Sequence, residues 1–426
     1  MKAVLVGLDR GRGSGWQVDD SLDELERLAQ TLDVDVVGRI AQKLSLPRVR
    51  TFVGSGKVEE VKETAKAAKV DVVIFDDELT PRQQVNLGEE FGDDVRIMDR
   101  TALILDIFAA HASTREGKLQ VELATLEYEL PRLRGKWSHL EAEKLGGGLG
   151  ARFGMGESQL ETDRRLARRR ISELKRDLAR VSKEREVQRA RRVASGIFRV
   201  SLVGYTNAGK STLLNALTGT NVLADDKLFA TLDSTTRRYE LTGGRELTLT
   251  DTVGFINKLP HSLVAAFKST LEEVVEADLL LHVVDAAAGM REQQIAAVRQ
   301  VLQELHAHEK PTLMVFNKTD LLTESSEVDS LRRSWPGCVL LSAGTGTGFG
   351  ELVTAMEAQV ARISSLMRVL IPYTRGDLVE LAHKRSNILE ERFEEDGTVM
   401  TLRVPPDLTK IFKPFALTEV SGDSAE

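Results

Sequence analysis

Short apolar runs that stop at glycine, asparagine, aspartate or serine recur through the middle of the chain. Phe198–Val203, Glu246–Thr250, Pro311–Phe316 and Val339–Leu341 each have the length of a buried strand. Thr212–Leu217 carries helical spacing instead, so the first run is predicted to leave a strand, cross a glycine loop and enter a helix. Residues 48–110 repeat this alternation on a smaller scale. Strands are expected at Val49–Val53, Val70–Phe75 and Asp94–Met98, with helices at Val58–Ala68 and Pro81–Phe91. Such alternation predicts a small α/β domain with a parallel sheet, to which residues 1–47 are assigned with weaker signals. After Ser364 the reading is strand Arg368–Tyr373, helix Gly376–Arg385, then hairpin strands Ile388–Glu394 and Thr398–Val404 around Asp396-Gly397, a ferredoxin-like α+β unit. The last residues, Ser421–Glu426, read as disordered.

Two stretches follow a different period. Leu119, Leu123, Leu126, Leu130 and Leu133 are spaced four and three alternately, as are Ala167, Ile171, Leu174, Leu178 and Val181. Each is a heptad-type seam, and glycine-rich sequence between them can reverse the chain, so an antiparallel helical hairpin is expected. Pro131 should kink or fray the end of its first helix. The second helix, from about Glu157 to Arg192, is predicted to be roughly 50 Å long. The architecture is therefore α/β and multidomain: an N-terminal α/β domain (1–112), the hairpin (113–196), a central domain of mostly parallel sheet with helices on both faces (197–364) and a C-terminal α+β domain (365–426).

The candidate chemistry sits at the strand ends of the central domain. Residues Gly204, Tyr205, Thr206, Asn207, Ala208, Gly209, Lys210 and Ser211 fit the phosphate-binding pattern G-x-x-x-x-G-K-[ST], and Thr212 opens the helix behind it. Backbone N–H groups of such a loop, with the helix N-terminus, cradle phosphate oxygens. Lys210 is expected to reach the β- and γ-phosphates and the Ser211 hydroxyl to ligate Mg²⁺. Asp251, Thr252, Val253 and Gly254 close the strand Glu246–Thr250. The carboxylate suits the Mg²⁺ shell, and Gly254 lets the backbone approach the γ-phosphate and sense it. Asn317, Lys318, Thr319 and Asp320 fit guanine recognition, because a carboxylate can accept from two adjacent N–H groups that adenine lacks. Ser342, Ala343 and Gly344 offer a backbone N–H to the guanine carbonyl. Between these motifs, Phe229, Ala230, Thr231, Leu232 and Asp233 form a switch segment. It should supply a threonine to Mg²⁺ and the γ-phosphate; Thr231 is favoured over Thr235 and Thr236. Lys210, Thr231 and Gly254 are the groups expected to act on the reaction itself. Each motif alone is also compatible with an ordinary polar loop; their order and spacing argue for one site.

With these elements in place the chain resembles the translation-factor-class GTPases and, more closely, the HflX family. The resemblance rests on Gly204–Ser211, Phe229–Asp233, Asp251–Ile256, Asn317–Asp320 and the stretch from Gly146–Gly150 to Gly156–Glu161, and it runs from about residue 48 to about residue 415. It implies a cytosolic GTPase that binds the large ribosomal subunit and helps to separate stalled or idle ribosomes, with the hairpin pointing toward the peptidyl-transferase region. Phe255 stands where Ras-type proteins carry a water-orienting glutamine, so hydrolysis should be slow until a partner intervenes. Asn207 matches the asparagine with which related GTPases hold K⁺, and it is equally explained as a loop-stabilising amide.

Composition narrows the setting. One cysteine, Cys338, excludes an internal disulfide and suits a reducing cytoplasm. The most apolar stretch, near Leu279–Met290, is broken by His282 and Asp285 and reads as a buried strand, not a membrane span. The net charge of −7 does not advertise a nucleic-acid binder, yet residues 157–192 hold 13 Lys or Arg against 7 Asp or Glu, a local +6. The predicted tip between the helices adds Lys136, Trp137, His139, Lys144, Arg152 and Phe153 among glycines. Cations and aromatics on flexible backbone suit RNA, which the resemblance makes ribosomal RNA, although a charge run is also compatible with a solvated helix face. A monomer is expected. Two other readings use the same residues: a nucleotide-switched adaptor of a protein or peripheral membrane partner, and an RNA-remodelling NTPase with additional ATP use. Gly54-Ser55-Gly56-Lys57 mimics half a phosphate loop but lacks its spacing, and a tight turn before a helix explains it better.

Overall fold

The computed structural model describes residues 1–11, 16–133, 153–195, 197–219, 228–229, 231–242, 245–258, 260, 263, 268–404 and 406–418. The chain forms two compact units. The first contains Met1–Ser182, Asp225–Asp233 and Ile256–Thr270; the second contains Lys183–Ala224, Ser234–Phe255 and Leu271–Glu426.

The first unit is built on a four-stranded parallel sheet in the order β2-β1-β3-β4, from β1 (Lys2–Asp9), β2 (Asp35–Lys43), β3 (Val72–Phe75) and β4 (Arg96–Asp99). Helices α1 (Val18–Thr31), α2 (Ser55–Ala68), α3 (Pro81–Phe91) and α4 (Arg100–His111) connect or follow the strands. The central strand β1 is apolar without interruption, and Ala3, Val4, Leu5 and Val6 are wholly buried, as a parallel strand covered on both faces requires. Helix α3 starts at a capping box, in which Thr80 and Gln83 satisfy each other's backbone N–H groups and Pro81 takes the first helical position. One strand expectation needs correction. Val49–Val53 is not a strand: Phe52 has φ 66°, and Arg48 and Phe52 close a tight loop with paired backbone hydrogen bonds of 2.8 and 3.0 Å. Residues 1–47 supply β1, α1 and β2, an inner strand and an edge strand of that sheet, and so belong to this domain as expected.

Helix α5 (Arg115–Glu129) gives way to a 3-10 turn at Leu130–Arg132, where Pro131 removes a donor. A 43-residue helix, α6 (Phe153–Ser195), follows. Ala167, Ile171, Leu174, Leu178 and Val181 form its less exposed stripe, with Leu174 fully buried. Among the described residues, the ion pairs Glu122–Arg170 and Glu127–Lys175 join the helices. The tip positions Gly135, Lys136, Trp137, His139, Lys144, Gly146–Gly150 and Arg152 lie outside the described residues, as do Ala230 and Ser421–Glu426.

The second unit carries a six-stranded sheet in the order β10-β9-β8-β5-β7-β6. Its strands are β5 (Phe198–Gly204), β6 (Thr235–Glu240), β7 (Glu246–Asp251), β8 (Leu279–Asp285), β9 (Thr312–Asn317) and β10 (Val339–Leu340). Pairing is parallel throughout except for the edge strand β6, which runs antiparallel to β7. Helices α7 (Lys210–Thr218), α8 (Lys268–Glu276), α9 (Arg291–Glu304), α10 (Ser325–Ser334) and α11 (Phe349–Ile363) accompany it. Val200, Leu202, Leu213, Leu249, Leu281, Val315 and Leu352 lie in its core. The single cysteine, Cys338, is buried. Beyond Ser364, β11 (Ser365–Ile371), α12 (Gly376–Arg385), β12 (Asn387–Glu394), β13 (Gly397–Val404), α13 (Pro406–Phe412) and β14 (Ala416–Thr418) form a βαββαβ array with the antiparallel order β12-β13-β11-β14. That is the ferredoxin-like arrangement expected from the sequence. Among the described residues no helix is long and apolar enough to cross a membrane.

Candidate functional site

In the second unit, β5, β7, β8 and β9 are parallel, so their carboxyl ends fall on one edge of the sheet, the side on which open α/β sheets bind ligands. Gly204 ends β5 at φ 155°, and a Cβ there would stand 2.2 Å from the Val283 carbonyl oxygen, so only glycine lets β5 turn out so close to β8. Asn207 follows in the left-handed region at φ 59°. The loop thus bends over the start of α7, whose first residues are Lys210, Ser211 and Thr212.

Lys210 is buried, and its ammonium donates to the carbonyl oxygens of Gly204 at 3.2 Å and Tyr205 at 2.9 Å. Burial lowers its pKa from 10.5 to about 8, against the opposing pull of the Asp251 carboxylate. The Ser211 hydroxyl donates to Asp251 Oδ2 at 2.6 Å, which brings two hard oxygen ligands together at the start of α7. Thr252 is held by donating its hydroxyl to the Leu202 carbonyl at 2.7 Å. Gly254 lies against the phosphate loop: a Cβ on it would be 2.8 Å from Thr206 Cα and 3.1 Å from Lys210 Nζ. Phe255 locks this approach, because Thr206 N–H donates to its carbonyl at 2.8 Å and its own N–H donates to Gly204 at 3.1 Å. Its ring is 1% exposed.

The opposite side of the loop is tied by one side chain. Asn317, buried at the end of β9, donates from Nδ2 to the Ala208 carbonyl and accepts from the Ala343 N–H, both at 2.9 Å. It joins the phosphate loop to the Ser342–Gly344 turn through the Ala343 N–H. Lys318 turns the chain at φ 62° and its ammonium pairs with Asp285 at 2.8 Å. Asp320 then sits exposed in the 3-10 turn Thr319–Leu321. Ser342 is buried and its hydroxyl accepts from the Thr345 N–H at 3.2 Å. The sheet edge thus brings together Gly204–Thr212, Asp251–Gly254, Asn317–Asp320 and Ser342–Gly344.

The switch segment is divided. Thr235 opens β6 opposite Asp251, whereas Phe229, Thr231, Leu232 and Asp233 belong to the first unit. The Asp233 carboxylate accepts hydrogen bonds from both the N–H and the hydroxyl of Ser113 and of Thr114, at the start of α5. These donors hold its pKa down although burial alone would raise it. So engaged, the Asp233 carboxylate anchors its segment to the start of α5. His282, in the stretch read from the sequence as a buried strand, lies buried in the middle of β8. Burial, then Arg299 and Lys210, lowers its pKa to about 3, so it is a neutral core residue.

Comparison with known proteins follows the same division of the chain. Residues 19–109 match the GTP-binding GTPase N-terminal family, residues 111–192 the GTP-binding GTPase middle region, and residues 199–318 the 50S ribosome-binding GTPase family. GTPase HflX of Caldanaerobacter subterraneus subsp. tengcongensis is 44% identical, over 98% of this chain and 94% of its own length. GTPase HflX of Escherichia coli K12 is 46% identical, over 91% of this chain and 90% of its own. A solved GTP-binding protein from Sulfolobus solfataricus in complex with GDP is 23% identical, covers 85% of this chain and 100% of that one, and has a TM-score of 0.43, too low to carry an argument. Near-complete coverage at these identities, with a phosphate loop whose lysine, serine and aspartate stand in place, makes the chain a member of the HflX family of GTPases.

Proposed function

We propose that this GTPase binds the large ribosomal subunit and promotes the dissociation of stalled or idle ribosomes, and that the subunit stimulates its hydrolysis of GTP. The observation that carries the proposal is Phe255. The position after Asp-Thr-Val-Gly holds a buried phenyl ring fixed by two backbone hydrogen bonds to the phosphate loop. A phenyl ring neither orients nor deprotonates water, so the hydrolytic arrangement must be completed by a partner. The 50S ribosome-binding family matched by residues 199–318 and the excess of cations along residues 157–192 support the large subunit as that partner.

In this reading Gly204–Ser211 cradle the phosphates, Lys210 moves from the loop carbonyls to the β- and γ-phosphates, and Asp320 accepts the guanine N–H pair. Ser211 and Asp251, two oxygens 2.6 Å apart, fit a Mg²⁺ site, with Thr231 as the switch ligand. Bound there, Mg²⁺ would neutralise charge on the β- and γ-phosphate oxygens. Asn207 is the residue that would hold K⁺. The Gly254 N–H reports the γ-phosphate, and the protein acts in the cytoplasm. The test is steady-state hydrolysis by the protein alone and with purified large subunits. A stimulation of at least tenfold is expected; an unchanged rate at saturating subunits contradicts the proposal.

A further inference from the structure

Thr206, the third residue of the phosphate loop, carries a hydroxyl that the loop itself does not use. The residue is 6% exposed, and among the described residues its buried Oγ1 has no hydrogen-bond partner. The nearby hydroxyls are committed: Ser211 donates to Asp251 and Thr252 to the Leu202 carbonyl. Burying a hydroxyl without a partner is costly, and a valine of the same shape would avoid the cost. Such a group calls for a partner in another state of the site.

Its surroundings indicate which partner. The Thr206 N–H donates to the Phe255 carbonyl at 2.8 Å, which holds the residue against the end of the Asp251–Gly254 segment. A Cβ placed on Gly254 would stand 2.8 Å from both Cα and Cγ2 of Thr206 and 3.1 Å from Lys210 Nζ. Thr206, Lys210 and Gly254 therefore converge on one point, and with Phe255 they all belong to the second unit.

From this geometry we infer that Thr206 is a further catalytic residue of GTP hydrolysis, its hydroxyl donating to a γ-phosphate oxygen. The inference rests on the reading that Gly204–Ser211 cradle the phosphates. GDP lacks that oxygen, so the hydroxyl favours the triphosphate. In the reaction the oxygen of water bonds to the γ-phosphorus and the bond from that phosphorus to the β–γ bridging oxygen breaks. The proton lost by the water passes to phosphate or solvent, while Thr206 keeps its own and stabilises charge on the oxygen it holds. A threonine hydroxyl is no base at neutral pH, so the contact serves the protein acting alone and leaves to a partner the orientation of water that Phe255 cannot supply.

Thr206→Val removes the hydroxyl and keeps the shape. Affinities for GDP and for the analogue GMPPNP are measured by calorimetry on the full chain without ribosomal subunits, together with kcat/KM for GTP and the thermal midpoint. The variant is expected to lose about 10- to 150-fold in GMPPNP affinity, the worth of one charge-assisted hydrogen bond, with GDP affinity unchanged. Its kcat/KM should fall at least tenfold. Its thermal midpoint should not fall, since an unpartnered hydroxyl is exchanged for a methyl. Thr206→Ser should recover most of the preference. If Thr206→Val does not fold, Thr206→Ala carries the same measurement. An unchanged GMPPNP-to-GDP preference, or equal losses for both nucleotides, overturns the inference. Lys210→Ala in the same titration separates the two readings. If it binds both nucleotides as the native chain does, the cradle fails and Thr206 with it; if it loses them while Thr206→Val changes nothing, the inference alone fails.

Discussion

Lys210→Ala is expected to abolish tight binding of GTP. The ammonium already sits buried inside the phosphate loop, donating to the carbonyls of Gly204 and Tyr205. It needs only to exchange these acceptors for phosphate oxygens. Charge-assisted hydrogen bonds from a buried ammonium are worth about 1.5–3 kcal/mol each, so losing two weakens binding by roughly 150-fold or more. Calorimetric titration with GTP measures this directly. The same site makes a pH prediction. Burial brings the pKa of Lys210 down to about 8 in the free protein, whereas bound phosphates demand the charged form. At pH 7 the lysine is already protonated and binding takes up almost no proton. At pH 9 it is mostly neutral, so each GTP bound should bring close to one proton with it, and affinity should fall about tenfold per pH unit above 8. Titrations in two buffers of different ionisation enthalpy count that proton. No uptake at pH 9 would mean that Lys210 does not meet the phosphates.

Asp320→Asn should separate guanine from its competitors. The carboxylate is exposed in its 3-10 turn, so the substitution leaves the core untouched. The turn itself is placed by Asn317, which bridges Ala208 and Ala343, and by the Lys318–Asp285 ion pair. Asparagine keeps one acceptor and gains a donor where guanine also donates. One charge-assisted bond lost and one donor set against a donor should cost about 1.5–3 kcal/mol, a 10- to 150-fold loss of GTP affinity. Xanthosine triphosphate presents a carbonyl at that edge, and the variant should prefer it. Competition between the two nucleotides for a fluorescent analogue measures the exchange. Unchanged GTP affinity would put the base elsewhere.

The site was legible where motif spacing coincides with strand ends. Gly204, Asp251, Asn317 and Leu340 each close a strand of one sheet, and a strand end is where a fixed polar residue repeats relative to the fold. The C-terminal unit was legible for a similar reason: period-two strands on either side of Asp396-Gly397 leave a single hairpin register. Less could be read from strands that carry little apolar contrast. β2 is half exposed along most of its length, and β6, an edge strand reading Thr235-Thr236-Arg237-Arg238-Tyr239-Glu240, resembles the loop that precedes it. Val49–Val53 had strand composition, but the left-handed backbone at Phe52 turns it into a loop. The heptad of α6 marked the stripe that packs, with Leu174 fully buried, whereas the Glu122–Arg170 and Glu127–Lys175 pairs use residues outside it. Asp233 could be seen near the nucleotide motifs, but its partners Ser113 and Thr114 are distant in sequence, and a helix cap supplied from so far away leaves no local signal.

The central claim, a guanine-nucleotide switch that governs attachment to the large ribosomal subunit, is tested most directly by pelleting purified subunits with the full chain in GMPPNP and in GDP. The account predicts that the protein travels with the subunits in GMPPNP, stays in the supernatant in GDP, and loses the difference in Lys210→Ala. Equal pelleting in both nucleotides, or none in either, would contradict it.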